Sequence, residues 1–135
     1  MEKKEKNTVK KEFVVQALID KIEKENQDIE IKTRIVKGYD SPKRIAKQDS
    51  DQKGFTPDVL SSTPEKTDLY EVELTQDYKL EKWKLFSLYS NKLKGTFNIV
   101  TPQNNLTAIR NKLKENNIKA KIIYFAWVDE AFPSR

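Results

Sequence analysis

Hydrophobic positions recur along this chain in two rhythms, and each switch between them marks an element boundary. From Thr8, which suits an N-cap, helical spacing runs to about Glu25, with an apolar face of Val14, Val15, Leu18, Ile19 and Ile22 and Phe13 and Ala17 beside it. The charged residues 1–7 ahead of it are expected to fray. Residues 29–36 alternate Ile29, Ile31, Thr33 and Ile35 against Glu30, Lys32 and Arg34, which predicts a strand. Residues 37–53 are polar, contain Pro42 and carry Lys37, Lys43, Arg44, Lys47 and Lys53. They are expected to form a long basic loop or protruding arm, and loops of that length are usually functional or mobile. Strands are predicted over 55–60 and 69–75, joined by the turn-rich residues 61–68.

The second half alternates. Residues 79–94 show Leu80, Trp83, Phe86, Tyr89 or Ser90, and Leu93 at helical spacing, with Gly95 as the stop. A short buried strand follows over 96–100. Thr101-Pro102 then opens a third helix with proline at its first position, a stripe of Leu106, Ile109 and Leu113, and an end at Asn116-Asn117. Residues 118–127 predict a last strand, apolar on both faces at Ile122-Ile123-Tyr124-Phe125 and therefore expected in the middle of a sheet. Trp127 at its end is open to two readings, a lid on the core or support for an oligomer. The order helix, three strands, helix, strand, helix, strand implies an antiparallel meander followed by right-handed parallel crossovers. The expected class is α/β, a mixed central sheet with helices on both faces, in a single domain of 135 residues.

Composition narrows the chemistry. Hydrophobic content of 36% against 35% charged predicts a thin core, and a formal charge of +5 permits a polyanionic partner. Without cysteine there is no disulfide, thiolate nucleophile or cysteine-ligated metal. Without histidine there is no Ser-His-Asp triad, histidine-ligated zinc or imidazole acid–base catalysis. Neither a dinucleotide-binding glycine motif nor a phosphate-binding loop is present. No apolar run is long enough to span a membrane and no secretory segment follows the basic start, so the expected location is the cytoplasm. Any unaided catalysis falls to carboxylates, lysines or tyrosines, most readily around a hard metal ion.

The carboxylates offer such a place. Tyr70, Val72 and Leu74 alternate with Glu71 and Glu73, so two acids point the same way from one strand. Like charges so spaced repel. Asp58 on a neighbouring strand would bring three carboxylates together, as an oxygen-ligand site for a divalent cation requires. Taken singly, Asp58 reads equally as a turn starter, and Glu71 and Glu73 as a solvated strand face.

The element order together with Pro57-Asp58 and Glu71, thirteen positions later, resembles the PD-(D/E)xK nuclease superfamily, the restriction-endonuclease-like fold. Its αβββαβ core would cover residues 9–101, with the last helix and strand as an extension. The segments Tyr70-Glu71-Val72-Glu73-Leu74 and Lys82-Trp83-Lys84-Leu85-Phe86-Ser87-Leu88-Tyr89 also resemble a small bacterial branch of that superfamily without an agreed role. The resemblance implies metal-dependent hydrolysis of DNA, with Mg²⁺ or Mn²⁺ held by Asp58 and Glu71 and helped by Glu12 from the first helix. The motif lysine is replaced by Glu73, and some relatives with glutamate there still cleave DNA. Lys82 or Lys84 would supply the missing cation, and Gln76 would contact the phosphate or its water. With Glu12, Asp58, Glu71 and Glu73 close together and no metal, at least one is expected to have a raised pKa. Lys43, Arg44, Lys47 and Lys53 are the expected DNA contacts, and a homodimer placing two sites on two strands fits the class. The rival expectations are a catalytically degenerate nuclease fold serving as a nucleic-acid-binding or protein-interaction module, and a structural subunit dependent on a partner.

Overall fold

The computed structural model describes residues 2–47 and 53–125, with side chains from residue 11 onward. The chain forms α1 (Glu2–Glu25), β1 (Glu30–Lys32), β2 (Val59–Ser62), β3 (Thr67–Val72), α2 (Leu80–Lys92), β4 (Phe97–Pro102), α3 (Leu106–Glu115) and β5 (Lys121–Phe125). The strands make one mixed sheet in the order β1-β2-β3-β4-β5. β1, β2 and β3 pair antiparallel, whereas β3, β4 and β5 run parallel through the α2 and α3 crossovers. The α/β class, element order and strand directions therefore follow the sequence expectation. No helix among the described residues is long and apolar enough to cross a membrane.

Two cores lie on opposite faces of the sheet. The α1 side joins Val14, Val15, Leu18, Ile19 and Ile22 to Ile31, Val59, Tyr70, Val72 and Val100. The other side packs Trp83 and Phe86 of α2 and Ile109 and Leu113 of α3 on Leu69, Phe97 and Ile99. β3 is the central strand, so both of its faces are covered, and Asp68 through Glu73 are all buried. The alternation in 70–74 is real, but the face carrying Glu71 and Glu73 meets α2 rather than water.

Several boundaries differ from expectation, each for a local reason. The helix α1 begins at Glu2, ahead of Thr8, so residues 2–7 are helical in backbone rather than frayed. Their lysines and glutamates are good helix formers. β1 stops at Lys32, because Thr33 N–H donates to Asp40 O (2.9 Å) and its hydroxyl accepts from Ile35 N–H (3.1 Å), turning the chain. Phe55 does not join the sheet. It makes a two-hydrogen-bond bridge with Ile45 (2.8 and 2.9 Å), inside the connection between β1 and β2. β2 starts only after Pro57, which has no N–H to give a ladder.

Pro102 is the last residue of β4, with extended dihedrals, and a 3-10 turn (Gln103–Asn105) separates it from α3. Thr101 is no cap: its hydroxyl donates to Glu73 O at 2.8 Å. α2 closes with Lys94 in the left-handed conformation (φ 63°), and Gly95 is required for a different reason. A Cβ there would sit 1.7 Å from Thr67 O, so only glycine lets the end of α2 approach the start of β3. β5 is an edge strand of the sheet, and Tyr124 is 54% exposed, not central as its apolar run implied. Residues 126–127 and Trp127 lie outside the described residues.

Candidate active site

Extending the β2–β3 register one step past Val59↔Tyr70 puts Asp58 opposite Glu71. Their side chains and backbones then interlock. Asp58 N–H donates to Glu71 Oε1 at 3.2 Å, and Val72 N–H donates to Asp58 Oδ2 at 2.8 Å. The Thr33 hydroxyl donates to Asp58 O at 2.7 Å, tying the turn after β1 to the entrance of β2. Glu73 continues past the end of β3, its N–H donating to Val100 O at 2.8 Å. Asp58, Glu71 and Glu73 are 4%, 3% and 6% exposed. Three carboxylates are thus withdrawn from water at one end of the sheet.

Two lysines answer them. Lys82, in the first turn of α2, forms an ion pair with Glu71 Oε2 and lies 3.9 Å from Glu73 Oε2. Lys11 of α1 reaches Asp58 Oδ1 at 3.0 Å. Trp83, fully buried in the α2-side core, donates its indole N–H to Glu73 Oε2 at 2.8 Å. It is therefore core and site at once. The Tyr78 ring tilts against Trp83 at 5.1 Å, and its buried hydroxyl has no hydrogen-bond partner among the described residues.

The electrostatics follow from burial. Glu71 is pushed up to about 8, first by desolvation and then by the charge of Asp58, with Lys82 and Lys11 opposing. Glu73 is raised by burial, which Lys82 and the Trp83 hydrogen bond only partly offset. Burial works against the charge on Lys82, but Glu71 above all, then Glu73 and Asp58, outweigh it and its pKa rises. The expectation of a raised carboxylate pKa without a metal thus holds for Glu71 and Glu73.

The remaining sequence candidates divide. Lys82 enters the cluster, while Lys84 is exposed on the next stretch of α2. Glu12 is exposed, and its neighbour Lys11 reaches Asp58 in its stead. One residue is a rotation of about 100° on a helix, enough to exchange an acid for a base at the site. Lys11 was legible in principle, since it continues the stripe Val15, Leu18, Ile22 at i+4, i+7 and i+11. Gln76 is exposed on the connector between β3 and α2, and Lys43, Arg44, Lys47 and Lys53 are exposed on the segment between β1 and β2. None of these makes an ion pair among the described residues. Nothing in the sequence pattern singled out Thr33 or the indole of Trp83 as part of the site.

Carboxylate oxygens are the right donors for a hard divalent cation. As arranged, Lys11 and Lys82 hold the oxygens such an ion would need, and no group of three or more acidic side chains among the described residues is set out to hold a metal. Comparison with protein-family models, with curated proteins and with solved structures finds no match to this chain.

Proposed function

We propose that this domain is a metal-dependent phosphodiesterase acting on DNA in the cytoplasm, built on a restriction-endonuclease-like core. The observation that carries this reading is the entry of Lys82 from α2 between Glu71 and Glu73. The strand offers glutamate where the resembling family has lysine, and the helix returns a lysine to the same carboxylates. Burying three acids against two partly exposed lysines is a poor route to stability, because the cost of desolvating ions rivals the attraction between them. Such clusters are characteristic of sites that do chemistry.

In this reading Asp58 and Glu71 hold one Mg²⁺ or Mn²⁺. When bound, the ion acidifies water and neutralises charge developing on the phosphate. Lys82 orients the attacking water or balances the phosphate. Glu73, held in place by Trp83, stands as acceptor for the water's proton. The exposed cations Lys43, Arg44, Lys47 and Lys53 receive the DNA backbone, which makes binding salt-dependent. The test is cleavage of single-stranded, duplex and branched DNA with Mg²⁺ or Mn²⁺. Asp58→Asn and Glu71→Gln are each expected to lower the rate at least about 100-fold, the scale of losing a group that acts in the transition state. Cleavage that survives both substitutions overturns the assignment.

A second reading has its own observation. The ion pair of Lys11 with Asp58 closes the cluster as a permanent cation would, which suits a nuclease fold kept for binding alone. Absence of cleavage on every substrate, together with no Mn²⁺ binding by calorimetry, selects it.

A further inference from the structure

Beside the carboxylate cluster lies a second feature that the phosphodiester chemistry does not use. A groove of about 410 Å³ opens between the Ile45–Phe55 bridge and α2, walled by Phe55, Leu85 and Leu88 and edged by Lys47, Lys84 and Glu81. Leu88 is 70% exposed, one of the few large apolar side chains left to solvent in the described residues. Lys47 and Lys84 are exposed and have no ion-pair partner among the described residues. Both segments that line the groove run close in sequence to residues of the cluster. Phe55 is three residues before Asp58, and Leu85 is one turn from Lys82, about 5 Å along the helix axis.

We propose that this groove is a nucleobase subsite, so that the polynucleotide addressed by the neighbouring cluster is single-stranded or frayed DNA rather than closed duplex. The proposal rests on the phosphodiesterase reading for its substrate, but the groove makes its own case. A nucleotide has a flat apolar face and an anionic phosphate. The groove has apolar walls and, at its rim, cations without ion-pair partners among the described residues, which are complementary to both. Phe55 is preorganised, because its N–H and C=O are both bonded to Ile45, so little ordering is needed when a base packs on it. Glu81, the one acid in the lining, can accept a hydrogen bond from a base's exocyclic amino group. A base inside a duplex is stacked on its neighbours and cannot enter without leaving that stack. The groove therefore selects strands whose bases are already free.

The test is fluorescence anisotropy with a labelled single strand of about eight nucleotides, within the usual site size of such grooves. Chelator is present, so that cleavage plays no part. The full chain is expected to bind it at least about tenfold more tightly than a blunt duplex of the same length. Removing one base, scanned along the strand, should weaken binding about 5- to 100-fold at a single position, the scale of one stacked base. Leu88→Asp should abolish that position dependence, and Lys84→Ala should weaken binding alike at every position and lower its salt dependence, both without changing the melting temperature because both positions are exposed. Equal affinity for intact and abasic strands, or variants that bind as the parent does, overturns the proposal. The two readings fail separately. Base-dependent binding without cleavage in Mg²⁺ leaves the subsite standing and removes the catalytic assignment. Metal-dependent cleavage of duplex as fast as single strand, with base-independent binding, does the reverse.

Discussion

Asp58 and Glu71 brace each other across β2 and β3: the Asp58 N–H donates to Glu71 Oε1 at 3.2 Å, and Asp58 Oδ2 accepts from the amide of Val72, the residue after Glu71, at 2.8 Å. Each carboxylate spends one oxygen on the other strand and offers the second to a lysine. The pair is thus a structural clasp as well as a candidate metal site, and substitutions must be chosen to separate the two roles. Asp58→Ala strips the acceptor from a buried Val72 amide and should cost about 1–3 kcal/mol in urea unfolding. Asp58→Asn keeps an acceptor there and should unfold close to the parent while losing activity. Equal stability of Asp58→Ala and the parent would show that the clasp is not formed.

Lys82 is the cation on which the cluster depends. Its side chain is 16% exposed and it touches both glutamates. Above about pH 8, where Glu71 carries its charge, Lys82→Met should destabilise by about 3–5 kcal/mol, because it leaves buried carboxylates without a countercharge. Adding Glu71→Gln should recover much of that loss, since the most deeply buried acid is then neutral. A double-mutant cycle in chemical denaturation measures the coupling. Independent, additive effects would contradict the geometry.

The metal-free protein should lose stability as pH rises between about 4.5 and 8. Glu71 moves from an ordinary value of 4.5 to about 8 on folding, so in that window the folded state holds a proton that the unfolded chain has released. For a carboxylate raised in this way the stabilisation is complete below 4.5 and is lost as pH climbs to 8. Glu73 is raised too and acts in the same direction. Lys82, also raised, contributes stability that disappears only above its ordinary 10.5, outside the window. Melting temperatures recorded in chelator across this range should decline, and Glu71→Gln should flatten the curve. A parent whose melting temperature rises from pH 4.5 to 8 would refute the assignment.

Lys11 and Glu12 should behave oppositely to what their charges suggest for a metal site. Glu12 is exposed, so Glu12→Ala should leave stability within about 0.5 kcal/mol and Mn²⁺ affinity unchanged. Lys11→Met frees Asp58 Oδ1 and should tighten Mn²⁺ binding in calorimetry and enlarge the thermal shift on adding the ion. Weaker binding by Glu12→Ala would return that residue to the site.

What could be read from residues alone was whatever periodicity encodes. Val14, Val15, Leu18, Ile19 and Ile22 had to share a helix face, and Glu71 and Glu73 had to share a strand face, because 3.6 and 2 are fixed by backbone geometry. The apolar run at Ile122–Phe125 misled, since a strand at the edge of a sheet can be as apolar as one inside it. Thr33 misled in another way, because a hydroxyl that bonds backbone ends a strand whose alternation continues to Ile35.

The sequence by itself determined the order of elements, the strand directions it implied, and the common face of the carboxylates. Only the tertiary structure decided what lies across from that face. It chose α2 over solvent as its cover, Lys82 over Lys84 as its cation, and Lys11 over Glu12 at Asp58. The physical reason is that alternation and helical spacing state which side of an element a residue occupies. The distance to a group on another element depends on how the layers pack, and a turn of one residue on a helix is enough to change the sign of the charge that arrives.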